Sequence, residues 1–211
     1  RMKEGQGIRT VISGFSGAGK GTVTRKILEQ YDNYALSISA TTRDPREGEE
    51  NGREYFFKTA EEFEKMIAKD ELIEYAKYVN NYYGTPKMYV QEQLQKGKDV
   101  ILEIEIQGAL KVKEKYPDTL LLFITPPSAQ ELKNRLIRRG TEEMDVIEKR
   151  MKTAAWEAQF MDQYDYIVIN DELQTCVEEL HAIIQSEHKK SARNLVFAEK
   201  IKEELEKEVK D

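Results

Sequence analysis

Nine consecutive residues, Gly14-Phe15-Ser16-Gly17-Ala18-Gly19-Lys20-Gly21-Thr22, have the types needed to hold a polyphosphate. Glycines let the backbone curl until several N–H groups point at one anion. A helix opening directly behind such a turn adds its positive N-terminal end. Lys20 supplies a mobile point charge for the β- and γ-phosphates, and Thr22, or water held near it, can serve the magnesium ion that accompanies ATP. A second constellation lies downstream, where Arg43 and Arg46 stand three apart in a loop. Two guanidinium groups so placed can fork around a single phosphate with bidentate hydrogen bonds. Tyr55 and Tyr83 can add phenolic donors.

These groups need a scaffold, and the hydrophobic pattern describes one. Ile8 to Ser13 reads as a strand running into the glycine-rich turn, and Val23, Ile27 and Leu28 mark one face of the helix behind it. Ala35 to Ser39 reads as a second strand and Arg43 to Gly52 as a loop. Thr59-Ala60-Glu61-Glu62 is a capping box for a helix with Phe63, Met66 and Ile67 inward. Leu72 to Val79 is expected to be a strand, Asn80 to Pro86 a turn, and Lys87 to Lys96 a helix ended by Gly97. Val100 to Ile106 suits a buried parallel strand carrying Glu103 and Glu105 in its C-terminal half. Leu120 to Thr125 is another buried strand, and Ser128 caps the helix that follows. A long helix is expected from Glu142 to Phe160, a short strand from Tyr166 to Ile169, and a helix through Val177, Leu180, Ile183 and Ile184. Strands alternating with helices imply an α/β fold, a parallel sheet flanked by helices. From Arg193 to Asp211 the chain is amphipathic, with Phe197, Ile201, Leu205 and Val209 on a stripe expected to pack on the body or on a partner subunit.

A chain of 211 residues suits one such domain, and a net charge of −6 argues against a basic nucleic-acid binder. A few clustered cations can still make a positive pocket for small anions. The single cysteine, Cys176, reads as a small apolar residue on a helix. No apolar run is long enough to cross a bilayer, no membrane association is expected, and a reducing cytoplasm is the expected location. Arg1 to Gly7 are polar and are expected to fray.

The Gly-Lys-Gly-Thr form of the phosphate loop resembles nucleoside-monophosphate kinases more than GTPases or motor ATPases. The second constellation narrows the resemblance. Ser37-Ile38-Ser39-Ala40-Thr41-Thr42-Arg43-Asp44-Pro45-Arg46-Glu47-Gly48-Glu49, then Asn51-Gly52 and Tyr55, then Asn81-Tyr82-Tyr83-Gly84-Thr85, is similar to the GMP-binding segment of guanylate kinases. Glu103-Ile104-Glu105-Ile106-Gln107-Gly108, Ile124-Thr125-Pro126-Pro127-Ser128, Arg138-Arg139-Gly140-Thr141 and Ile167-Val168-Ile169-Asn170-Asp171 continue the likeness in the family's order, from about Ile8 to Glu187.

The resemblance implies a P-loop core (1–37, 94–131 and 162–190), an inserted GMP-binding subdomain (38–93), a lid (132–161) and a C-terminal helical extension (191–211). It implies that Gly14 to Thr22 and Asn170 bind ATP, with Asn170 near the adenine. It places Arg43, Arg46, Tyr55 and Tyr83 on the GMP phosphate and Ser39, Glu74 and Thr85 on the guanine, with Glu49, Gly84 and Glu103 in the same site. Guanine offers N1–H and N2–H₂ donors, both of which a Glu74 carboxylate can accept, whereas adenine presents a bare acceptor. Arg135, Arg139 and Arg150 resemble lid arginines that clamp the ATP phosphates, so the implied catalytic set is Lys20, Arg43, Arg135, Arg139 and Arg150. Thr22 and Glu105 would serve Mg²⁺, Glu105 through water. Relatives usually carry Pro where this loop has Phe15, and Asp at one or both of the positions held by Glu103 and Glu105.

The implied activity is phosphoryl transfer from ATP to GMP in purine nucleotide metabolism, with dGMP as a further acceptor and with monomer and homodimer both open. Two other readings exist: a non-catalytic module of the same family, and a kinase for another nucleoside monophosphate. The intact phosphate loop and lid arginines argue against the first, and Glu74 argues against AMP. His181 and His188 lie outside these motifs, and Trp156 reads as a packing residue.

Overall fold

A computed structural model describes residues 5–210. In chain order the elements are β1 (Arg9–Gly14), α1 (Lys20–Gln30), β2 (Tyr34–Leu36), β3 (Ala40–Thr41), β4 (Phe56–Phe57), α2 (Ala60–Ala68), β5 (Leu72–Tyr78), β6 (Asn81–Pro86) and α3 (Lys87–Gln95). Then follow β7 (Asp99–Glu103), α4 (Ile106–Lys115), β8 (Leu120–Thr125), α5 (Ala129–Arg138), α6 (Met144–Glu157), β9 (Tyr166–Ile169), α7 (Leu173–Glu187) and α8 (Leu195–Glu208). Short 3₁₀ turns occupy Ala158–Gln163 and Ser191–Arg193.

The strand order β2-β7-β1-β8-β9 makes a five-stranded sheet. Every pairing in it is parallel, with Val11 level with Leu102 on one side and Leu121 on the other. Val11, Ile12, Ile101, Leu102, Leu121, Leu122 and Phe123 are fully buried, because a parallel sheet carries helices on its faces. A four-stranded sheet, β4-β3-β6-β5, holds a smaller core of Ala40, Phe63 and Leu72, with Met66 and Ile67 packed against it as the capping-box reading expects. Thr59 Oγ1 accepts from Glu62 N at 3.1 Å, and Ser128 Oγ from Glu131 N at 3.0 Å, so both expected caps form.

Several expectations need correction. Asn81–Pro86 is a strand and not a turn. The reversal is confined to Val79 and Asn80, whose φ values of +44° and +66° match the pattern of a two-residue hairpin turn. Val79 carries no turn signal, whereas Tyr82, Tyr83 and Thr85 are good strand formers. The strand expected to reach Ile106 stops at Glu103. Glu105 instead caps α4, its carboxylate accepting from Gln107 N at 2.9 Å and Gly108 N at 2.8 Å. The second strand is Tyr34–Leu36, shorter than expected, and the helix expected to reach Phe160 tightens into a 3₁₀ turn after Glu157.

The apolar stripe of α8 does not pack on the body. Phe197, Leu205 and Val209 are exposed by 55%, 59% and 81%. Of the N-terminal segment expected to fray, residues 1–4 lie outside the described residues, as does Asp211, while Gly7 is buried and donates its N–H to Leu94 O at 2.9 Å. Cys176 is a free, fully buried helix residue as expected, and burial pushes its thiol up to about 11.

Both histidines belong to a buried polar network that begins at Asp99, at the start of β7. Asp99 Oδ1 accepts from Ile8 N at 2.8 Å and lies 2.8 Å from His188 Nε2, while Oδ2 accepts from Asn33 and Gln185 side chains at 3.1 Å each. Tyr34 Oη is 2.7 Å from His181 Nδ1 and accepts from Gln185. One fully buried carboxylate at the start of β7 thus ties the residues that lead into β1 and β2 to α7. Removing it leaves several buried donors without an acceptor, so Asp99→Ala is expected to cost about 3 kcal/mol of folding free energy. Urea denaturation would show a lower midpoint at unchanged slope. A loss under about 1 kcal/mol would mean that water replaces the carboxylate without penalty.

Candidate active site

The phosphate loop forms where β1 hands over to α1. Gly19 has φ +87°, and a Cβ there would stand 2.5 Å from Asn170 Nδ2, so only glycine fits. Asn170, at the end of β9 and 7% exposed, donates its side-chain amide to Ala18 O at 2.9 Å. The residue expected near the adenine therefore also ties down the loop. Phe15 is 8% exposed and packs edge-on against Phe123, with ring centroids 4.9 Å apart. Its carbonyl accepts from Ala18 N at 3.0 Å. An aromatic ring buried on β8 thereby anchors the loop entrance. Lys20 is the first residue of α1, and its Nζ lies 3.4 Å from Gly14 O, a long contact that leaves the ammonium free to turn toward an anion. Ser16, Gly21 and Thr22 are exposed at the loop rim, and Gly14 and Ala18 are buried beneath it.

The three arginines expected to act as a lid lie in α5 (Arg135), at its C-terminal cap (Arg139) and in α6 (Arg150). Arg135 donates to Asn170 O at 2.8 Å and to Glu131 at 3.0 Å, so it is fastened to the loop's own anchor. Arg150 reaches Ser16 Oγ and pairs with Glu142. Arg139 ends α5 and is exposed, and Arg138 pairs with Glu131 at the surface. Trp156 is 43% exposed and touches Phe160 edge-on, so it packs only in part.

Across the ends of β1 and β7 lies a cleft of 610 Å³ lined by Ser39, Glu74, Tyr83, Gly84, Glu103 and Glu105, among others. Tyr55 also lines it, and a 190 Å³ extension adds Thr85 and Ser37. The polar residues expected around the guanine thus meet in one place, although they come from β5, β6, β7 and two loops. Thr85 Oγ1 donates to Glu74 Oε1 at 2.9 Å. Burial pushes the Glu74 carboxyl above the ordinary glutamate range, Thr85 offsets part of that rise, and the nearby Glu105 adds to it. Gly108 lets these carboxylates approach, since a Cβ there would lie 3.2 Å from both Glu105 Oε1 and Glu74 Oε2.

Beside Tyr55, which lines this cleft, Arg43 is held by a carboxylate. Both its terminal nitrogens donate to Glu49, at 2.9 and 3.0 Å, and its guanidinium lies 5.1 Å from the Tyr55 ring centre. The Arg43 hydrogen bonds, then the Arg46 backbone N–H, hold the Glu49 carboxyl below the ordinary range. Glu49 therefore acts on the cation and on the loop rather than pointing into the cleft. Tyr55 and Tyr83 meet edge-on at 6.1 Å, and Arg46 is exposed on the loop rim.

For a divalent ion the available donors are all oxygens: the Thr22 hydroxyl and the Glu105 carboxylate, fixed by two backbone N–H groups and with lone pairs to spare. That donor chemistry fits Mg²⁺ retaining its waters. Sequence reasoning passed over Glu157 and Tyr164, neither of which stands in a motif with a chemical signature, and gave Ser37 no role although it opens the second constellation. Ser37 is half-buried in the cleft extension, with its hydroxyl shielded and unpartnered among the described residues.

A family model described as "Guanylate kinase" matches residues 7–187. A guanylate kinase of Bacillus subtilis is 55% identical over 193 residues, covering 91% of this chain and 94% of that protein. One of Oceanobacillus iheyensis is 52% identical over 192 residues, covering 91% and 93%. Among solved structures, guanylate kinase from Anaplasma phagocytophilum superimposes with a TM-score of 0.70 at 32% identity, covering 91% of each chain.

Proposed function

Because the chain belongs to the guanylate kinase family, we infer that it transfers the γ-phosphoryl group of ATP to GMP, giving ADP and GDP. The observation that carries this reading is the pair of sites at one end of the sheet: a glycine-rich phosphate loop at the end of β1, and a cleft with a half-buried, hydrogen-bonded glutamate beside the end of β7.

ATP lies with its phosphates in the loop from Gly14 to Thr22, clamped by Arg135, and its adenine toward Asn170. GMP enters the cleft. Glu74 accepts from guanine N1–H and N2–H₂, and Ser39 and Thr85 complete the recognition of the base. Arg43, Arg46, Tyr55 and Tyr83 hold the GMP phosphate, which draws Arg43 away from Glu49. A phosphate oxygen of GMP then forms a bond to the γ-phosphorus in line with the breaking bond to the bridging oxygen, and ADP takes the released electron pair. Lys20, Arg43, Arg139 and Arg150 carry the charge spread over the transferring oxygens. Magnesium, held through Thr22 and water on Glu105, would neutralise part of the phosphate charge. Movement of the 132–161 lid over both substrates excludes water from the transfer.

The test is a coupled assay of ADP formation with ATP present and GMP, dGMP, AMP or UMP offered in turn. ADP formation that depends on GMP supports the reading, and a preference for AMP overturns the role of Glu74.

A further inference from the structure

Ser37 opens the second constellation, and the reaction scheme leaves it without a task. Its backbone is fixed. Ser37 N donates to Ile101 O at 2.8 Å, which carries the pairing of β2 with β7 one residue past Leu36. Its side chain is uncommitted. The hydroxyl is shielded from solvent and has no hydrogen-bond partner among the described residues. It lines the 190 Å³ extension of the cleft together with Ser39, Tyr55, Thr85 and Glu103. Ser39, Tyr55 and Glu103 also line the main cleft. The two spaces therefore share walls, and Ser37 belongs to the extension alone.

A shielded hydroxyl without a partner destabilises the protein that carries it. The chemistry of the adjoining cleft supplies a partner. With Glu74 accepting from guanine N1–H and N2–H₂, the carbonyl O6 beside N1 is left as an acceptor that needs a donor. Thr85 has one hydroxyl proton, and it goes to Glu74 Oε1 at 2.9 Å. The Ser37 proton is free to turn. An extension of 190 Å³ falls below the usual size of a nucleotide pocket, yet it has room for water, and its serine, tyrosine, threonine and glutamate walls can hold one. A water bridging two polar groups binds nearly as well as a direct contact. We propose that Ser37 is a further guanine-recognition residue, its hydroxyl donating to a water in the cleft extension that in turn donates to the O6 carbonyl. The proposal rests on the reading of the cleft as the GMP site. It gives Ser37 a part in holding the base and none in the phosphoryl transfer.

Binding can be read without turnover. Isothermal titration of the full chain with GMP, and separately with 6-thio-GMP, gives two dissociation constants for each protein. The thio compound keeps N1–H and N2–H₂ and replaces O6 with sulfur, a weaker acceptor. The wild type is expected to bind GMP more tightly than 6-thio-GMP. Ser37→Ala is expected to weaken GMP binding about three- to tenfold and to leave 6-thio-GMP nearly unchanged, so the gap narrows. Its melting temperature is expected to equal or exceed that of the wild type, because a shielded hydroxyl without a partner has been removed. Ser37→Thr, which keeps the hydroxyl, is expected to retain the gap. Unchanged GMP affinity in Ser37→Ala overturns the proposal. Equal weakening of both ligands also overturns it, because it marks a residue that only shapes the pocket. A wild type that binds GMP no more tightly than AMP would sink the reading of the cleft itself and the proposal with it, an outcome distinct from the other two.

Discussion

Lys20→Ala is expected to lower turnover by about 10²–10³-fold or more while leaving the fold intact. The expectation follows from where the side chain sits. Lys20 opens α1, is only partly buried, and makes a single long contact, to Gly14 O at 3.4 Å. Its removal deletes no core packing, and alanine suits a helix terminus. What disappears is the one mobile cation of the loop, the group that follows charge onto the transferring oxygens. Steady-state kinetics with saturating ATP and GMP, together with a thermal melt, would separate the two effects. Near-normal turnover in a folded variant would mean that the loop does not hold the donor phosphates.

Glu74→Gln is expected to cut kcat/KM for GMP by about 10²–10⁴-fold and to narrow the gap between GMP and AMP. The substitution preserves volume and the hydrogen bond from Thr85, so the cleft keeps its shape. It replaces an acceptor oxygen with an N–H₂ donor. Facing guanine, that donor meets another donor; facing adenine, it meets the N1 acceptor. A pH series gives a second readout. The Glu74 carboxyl lies above its ordinary value of 4.5, chiefly through burial. GMP affinity is therefore expected to be level at neutral pH and to weaken as pH falls into the range above that ordinary value, where the carboxylate gains a proton and loses an acceptor. In Glu74→Gln that step should vanish. A variant that still prefers GMP over AMP as strongly as the wild type would show that the base is read elsewhere.

How much of this was legible beforehand depends on the range of the interactions involved. The phosphate loop was readable because its function is local: glycine, lysine and hydroxyl spacing within one turn decides where N–H groups and a cation point. The two side-chain caps, at Thr59 and Ser128, were readable for the same reason. The strands β1, β7 and β8 announced themselves by continuous β-branched and leucine runs, since a strand buried on both faces has no polar alternation to disguise it. Glu74 had no such signal. By its neighbours alone it is an exposed-strand charge, and only the resemblance to a family gave it a role. In the structure it is half-enclosed because Thr85 on β6 and Glu105 and Gly108 at the start of α4 converge on it.

The misreadings share one cause. Asn81–Pro86 was expected to be a turn because its asparagines and glycine look like turn chemistry, yet β6 is stabilised by β3 and β5 on its two sides, partners up to about forty residues away. Glu105 was expected at the end of a strand, and a backbone bend after Ile104 made it a helix cap. Both histidines carried no motif, and they line up on Asp99 and Tyr34 only because α7 returns to the start of the sheet. The amphipathic tail was expected to find a face on the body, and α8 keeps its stripe exposed.

The sequence by itself determined the phosphate loop and the parallel α/β scaffold, because those depend on residue type and on contacts a few positions long. Only the tertiary structure decided how the groups are poised: Arg43 held by Glu49, Asn170 and Arg135 tied to the loop, and Phe15 seated on Phe123. Charge and burial act through space, and the distances that set them arise when residues far apart in the chain are brought to the same end of the sheet.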